Sequence, residues 1–287
     1  MTWLLTILLT LLGASFGPAG PNGGRSGGDA VTIPLDPPSG DERGPLPPVT
    51  RARGANPPLV VIDAGHGGRD PGAASPFSDA REKDITLALA RAIRDELARS
   101  GRVRVALTRD DDSYLVLQDR YAIARRLRAD LFISIHADAA PLNDQAHGAT
   151  VYTLSEVASD REAAQLAQRE NEADLIAGTR LSPDPNVNLI LIDLAQRESM
   201  GVSADFAALL YREAVPIFPF RPDWHRFAAF VVLKAPDIPS VLFESGYLTN
   251  ALDAAYIGSP QGRHQIADGM RRAIEAHFAR RLLPARS

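Results

Sequence analysis

Two histidines and two glutamates sit where a chain of alternating strands and helices can do metal-assisted hydrolysis. His66 follows the apolar run Leu59-Val60-Val61-Ile62, within Asp63-Ala64-Gly65-His66-Gly67-Gly68. His136 follows Leu131-Phe132-Ile133-Ser134-Ile135, and Glu244 follows Val241-Leu242-Phe243. Glu82 stands at the entrance of the first helix-like stretch. Imidazole nitrogen and carboxylate oxygen are ordinary zinc ligands, and three of them leave a coordination position open. A further carboxylate that does not ligate can move protons. The chain has no cysteine, so a transition-metal site must use His and carboxylates, and thiol nucleophiles and disulfides are excluded. Ser134 and Ser245 lie outside any Gly-x-Ser-x-Gly elbow and are poor nucleophile candidates.

Each residue has a plainer role when taken alone. A histidine after a strand is commonly a surface or hydrogen-bonded group, and a first-turn glutamate suits the helix dipole. Glu244 alone is a strand-end charge. The joint placement at strand and helix ends keeps the metal site open beside those roles. Asp63 and Asp138 flank the histidines, as imidazole-orienting groups or as turn formers. His147, His225 and His264 lack comparable settings and are read as structural or solvent-facing.

The elements that must position these groups are legible as alternation. Leu59–Ile62, Val103–Leu107, Leu131–Ile135, Gly148–Leu154, Phe230–Leu233 and Val241–Phe243 read as strands. Helices are expected from Asp84, as N-cap, to Ser100, then over 117–127, 161–176 and 261–283. In the first of these Ile85, Leu89, Ile93 and Leu97 share one face, and Gly101 stops the helix. The pattern predicts a single α/β domain, a largely parallel sheet flanked by helices, with the site at strand C-terminal ends.

Composition sets the bounds. The 287 residues are 45% hydrophobic and 23% charged, ordinary for a folded domain, and the net charge of −4 argues against nucleic acid as partner. Only Lys83 and Lys234 are lysines, which carries no functional reading. The apolar run Trp3–Leu12, followed by Gly13-Ala14-Ser15, is short for a membrane span and fits a signal peptide or apolar leader over 1–16, although no Lys or Arg precedes it. Residues 17–58 are rich in Gly and Pro and read as a disordered linker, leaving 59–287 as the catalytic domain. Export to the periplasm is expected, as a soluble monomer or with an N-terminal membrane tether.

The chain resembles the zinc-dependent N-acetylmuramoyl-L-alanine amidases of the Amidase_3 type. The resemblance runs through Val61–Ala73, Glu82-Lys83-Asp84, Ser134–Asp138 and Leu233–Asn250, in the family's order. It implies zinc held by His66, Glu82 and His136, with Glu244 as the catalytic glutamate. The implied reaction is hydrolysis of the amide between the lactyl group of N-acetylmuramic acid and the L-alanine of the peptidoglycan stem, in cell-wall remodelling or daughter-cell separation.

Glu170–Gly178 is similar to the cell-division amidases of Gram-negative bacteria. In those relatives an inserted helix covers the zinc and is withdrawn by a LytM-type activator, so such an activator is an implied partner. An insertion over about 156–224 is expected here, and an ordinary surface helix is the alternative. Glu170 is the first choice for a carboxylate that occupies the open metal position, with Glu172 and Asp174 as alternates. The relatives' peptidoglycan-targeting domain has no counterpart in the N-terminal stretch. Two other classes compete: a catalytically silent wall-binding module, and a zinc peptidase. The filled set of four residues speaks against the first and segment 233–250 against the second.

Overall fold

The computed structural model describes residues 44–140, 143, 145–176 and 189–282. The leader expected over 1–16 and most of the linker lie outside the described residues. The described part is a single α/β domain around a six-stranded sheet. Its strands are β1 (Leu59–Ala64), β2 (Arg104–Leu107), β3 (Leu131–His136), β4 (Ala149–Leu154), β5 (Phe220–Ala228) and β6 (Ser240–Glu244). They lie in the order β2-β1-β3-β6-β4-β5. Every neighbouring pair is parallel except β4 with β6. The sheet is therefore largely parallel, as the alternation predicts.

Side chains alternate across the sheet and divide the core. Val60, Ile62, Ile133, Ile135, Val151, Val241 and Phe243 face one layer. That layer holds α1 (Glu82–Ser100), α5 (Leu189–Ala214) and α7 (Pro260–Leu282). Val61, Phe132, Tyr152 and Leu242 face the other. There α2 (Leu117–Arg126), α3 (Arg161–Asn171) and a 3-10 turn at Val231–Leu233 pack. Two short helices complete the elements of the described residues, α4 (Ala173–Ile176) and α6 (Ala251–Gly258).

Several elements differ from the sequence expectation. Helix α1 starts at Glu82, with Arg81 in the cap position and no side-chain cap. Its first N–H groups instead meet loop carbonyls, Glu82 N to Ala73 O (2.8 Å) and Lys83 N to Pro71 O (3.2 Å). Asp84 is thus inside the helix rather than its cap. At the other end Gly101 adopts φ 64° and its N–H reaches Leu97 O, the left-handed stop that glycine allows. The segment 230–233 is a 3-10 turn, not a strand. The helix expected over 161–176 breaks at Glu172 into α3 and α4.

The stretch 156–224 is not one detachable piece. Phe206, Ala207, Leu210 and Ala214 of α5 are buried in the main core, and β5 joins the sheet as its edge. On the other face α3 packs against the sheet through Ala163, Leu166 and Ala167.

Candidate metal centre and active site

The carboxyl edge of the sheet gathers the expected residues. On the α2/α3 side, β-sheet register places Asp63 of β1 opposite Ser134 of β3. His136 of β3 lies opposite Glu244 of β6, and Glu244 opposite Thr150 of β4. His66 follows β1 by two residues and Glu82 opens α1. His66, Glu82 and His136 are all buried and offer ligand atoms within 4.8 Å of one another. Glu82 Oε1 lies 3.1 Å from His66 Nε2 and 3.2 Å from His136 Nδ1.

The loop around His66 is shaped by its neighbours. His66 has φ 60°, an unusual backbone for a residue with a Cβ and one that surrounding contacts must hold. Arg120 supplies them: Nη2 donates to His66 O (2.8 Å) and Nη1 to Ala64 O (2.8 Å) and Asp63 Oδ1 (3.0 Å). Arg109 donates to Ala64 O and Gly65 O from the same side. Gly65 is required because a Cβ there would sit 2.5 Å from the His136 ring. Gly72, with φ 63°, would place a Cβ 2.6 Å from Glu82 and 2.7 Å from His66. These glycines make room for the side chains of His66, Glu82 and His136 themselves.

Each imidazole has one nitrogen committed elsewhere. His66 Nδ1 donates to Asp70 Oδ2 (2.8 Å), so Nε2 faces the cluster. Ser134 Oγ donates to Asp63 Oδ2 (2.7 Å), and so can only accept from His136 Nε2 (3.2 Å). His136 therefore presents a bare Nδ1. Such partners fix tautomer and ring orientation at metal sites. Asp63 acts through Ser134 and touches neither imidazole; Asp70, not singled out in the sequence, is the direct partner of His66. Asp138 accepts from Arg169 (2.9 Å) and also touches neither ring. Burial pushes its carboxyl up to about 7, against the pull of Arg169. Of the other histidines, His225 contacts Thr153 Oγ1 (3.0 Å) and stacks beside Trp224, a structural setting.

The electrostatics suit a cation. Burial penalises charge on both His66 and Glu82, yet the attraction between them and their neighbours outweighs it. His66 is held well above the usual imidazole range by Glu82, Glu170 and Asp70, and Glu82 well below the carboxylate range by the two histidines. His66 Nε2 is buried with no hydrogen-bond partner. Once its proton is lost, this nitrogen, aimed at a second imidazole and a carboxylate, completes the donor set that zinc takes. The residues fit the metal.

Glu244 lies beside this set and is fully buried, and neither carboxylate oxygen has a partner. Burial holds its carboxyl well above the usual range, and the charges of Asp138, Glu82 and Glu170 add to that.

Glu170 reaches the same point from α3. Its Oε2 lies 3.3 Å from His136 Nδ1 and 3.6 Å from His66 Nε2. Neighbouring residues hold the end of the helix down. Asn171 donates to Ala229 O (2.9 Å) and accepts from Val231 N (2.8 Å). Asp174 accepts from Tyr114 Oη (2.6 Å) and Leu117 N (3.0 Å). At the start of α3, Asp160 caps the helix and pairs with Arg226. Of the three carboxylates considered, it is Glu170 that reaches the two histidines: Glu172 is exposed and Asp174 turns to α2.

Residues 60–276 match the Amidase_3 family, described as N-acetylmuramoyl-L-alanine amidase. The chain belongs to that family. Among the amidases it resembles is AmiA of Salmonella typhimurium, 38% identical over 222 residues, 77% of this chain and 76% of the relative. AmiC of Escherichia coli O6:H1 is 35% identical over 239 residues, 83% of this chain. The match spans just 56% of that relative's length. Among solved structures, the catalytic domain of the amidase CwlV from Bacillus (Paenibacillus) polymyxa var. colistinus superposes with TM-score 0.58 at 25% identity, over 77% of this chain and 98% of that one. The amidase AmiC2 of Nostoc punctiforme gives 0.56 at 26% identity, over 79% and 99%. The four residues discussed above all lie inside the part that matches the amidase family.

Proposed function

We propose that this chain is a zinc-dependent amidase that hydrolyses the bond between N-acetylmuramoyl and L-alanine in peptidoglycan. The observation that carries this reading is the buried His66/Glu82/His136 set with an unpartnered carboxylate, Glu244, beside it. Zinc held by the triad would lower the pKa of water and polarise the scissile carbonyl. Glu244 would take the proton from the attacking water and return it to the departing amine of L-alanine. Asp70 and the Asp63–Ser134 pair keep the two rings turned toward the centre. Departure of Glu170 removes one of the negative charges that push the Glu244 carboxyl upward. Digestion of purified peptidoglycan tests the assignment: mass spectrometry should find stem peptides with a free L-alanine amine and glycan carrying the free lactyl carboxyl. Peptides cut between amino acids would overturn it in favour of a peptidase.

His136→Ala removes one donor and should weaken zinc binding by at least about tenfold, since even partners of ligands can matter that much. Metal analysis of purified protein after dialysis against a chelator checks this; full occupancy would remove His136 from the site.

The covering position of α3 supports a second part of the reading. Glu170 competes for the open coordination position, so the chain as described is closed, and a LytM-type activator that prefers the open form would release it. The apolar run Trp3–Leu12 supports export to the periplasm; among the described residues no helix is long and apolar enough to cross a membrane. A reporter fused after residue 58 should appear outside the cytoplasm, and retention inside would sink the export reading.

A further inference from the structure

Glu244 is buried among groups of its own sign. The charges facing it are Asp138, Glu82 and Glu170, with His66 opposing them. A carboxylate that must ionise to act as a base needs a donor to settle one oxygen and leave the other free. Most polar groups nearby on this face are already engaged. Ser134 Oγ donates to Asp63 (2.7 Å), and Ser245 Oγ donates to His136 O (2.9 Å). Tyr152 Oη accepts from Arg226 (3.0 Å), and Tyr247 Oη meets Arg221 and Glu162.

Thr150 is different. It stands directly across from Glu244 in the antiparallel β4–β6 pair, so the two side chains share a face of the sheet. Residues so paired have Cβ atoms roughly 4.5–5.5 Å apart. Both residues are fully buried. Thr150 Oγ1 and both oxygens of Glu244 are buried polar atoms without a hydrogen-bond partner. Two such orphans side by side are costly unless they serve one another directly or through a single water.

We propose that Thr150 is a positioning residue for Glu244: its hydroxyl serves one carboxylate oxygen, directly after a small side-chain turn or through one water, and leaves the other to face the attacking water. The role rests on the amidase reading, and nothing in the sequence singles Thr150 out, because it appears only as one residue of an alternating strand. A hydroxyl suits the place, since it donates without adding charge beside the triad.

The test is dye release from labelled peptidoglycan, at a range of substrate concentrations, by the full zinc-loaded chain and its variants. Thr150→Val keeps the shape and removes the donor. It should lower kcat roughly 10- to 100-fold, the range for a lost hydrogen bond to a charged group, with KM and zinc content unchanged. Thr150→Ser should restore most of the rate. In a Glu244→Gln background, Thr150→Val should leave the residual rate where it is. Should Thr150→Val fail to fold, Thr150→Ala removes the same hydroxyl and is read in the same way. An unchanged kcat without the hydroxyl overturns the proposal, as does a Thr150→Ser variant as impaired as Thr150→Val, which would mean that packing of the methyl group matters instead. A zinc-loaded chain opened by Glu170→Ala that still releases no product overturns the amidase reading itself, and this role with it.

Discussion

Glu244→Gln is expected to keep its zinc and lose about 10²–10⁴-fold in rate, the usual contribution of a general base. The amide has nearly the shape of the carboxylate but cannot accept the water's proton. The three donor residues lie on other elements, His66 after β1, Glu82 on α1 and His136 on β3, so the metal site should survive the change. Stability should not fall either, because burial already disfavours the charged form of Glu244. The decisive measurement pairs zinc content with turnover of labelled peptidoglycan. Near-native turnover in a zinc-loaded Glu244→Gln protein would remove Glu244 from the chemistry. Loss of zinc together with activity would instead make Glu244 part of the metal's support.

The strands that end in functional residues were the easiest elements to read, for a physical reason. β1, β3 and β6 are central, covered by helices on both faces, so they appear as unbroken apolar runs that stop at a polar group. β5 is the sheet's edge, and its Phe220–Ala228 sequence contains Pro222, Asp223 and two arginines, which hide a strand from any apolar count. The run 230–233 is apolar because it is buried, and burial alone does not distinguish a strand from a 3-10 turn. The site's supports were hidden for another reason. Arg120 meets Asp63 across more than fifty residues of chain, and Thr150 meets Glu244 across more than ninety. Asp70 reaches His66 at a spacing of four residues, but in a loop where that spacing has no fixed meaning. Glu170 was legible only through the family resemblance, since a glutamate late in an amphipathic helix is otherwise an ordinary surface group.

Freeing the end of α3 should raise the basal rate of the isolated enzyme, up to about 100-fold. Closure favoured by about 2.7 kcal/mol leaves roughly 1% of molecules open, and contacts of the observed kind are enough to supply it. The two side-chain bonds of Asn171 are worth about 0.5–1.5 kcal/mol each. The Arg169–Asp138 pair adds less, because Arg169 is 49% exposed and screened by water. Ala163, Leu166 and Ala167 remain buried under the first turns of α3, and Asp160 stays paired with Arg226, so the helix should pivot about its start rather than unfold. The double variant Glu170→Ala, Asn171→Ala takes away both the competing oxygen and the clamp while sparing α5, whose Phe206 and Leu210 belong to the core. Glu172→Ala, on the exposed side of the same turn, is the control and should leave the rate unchanged. Dye release by zinc-loaded proteins of equal thermal stability reads the outcome. Equal rates for the double variant and the wild type would leave α3 as an ordinary part of the wall beside the metal, with no inhibitory role.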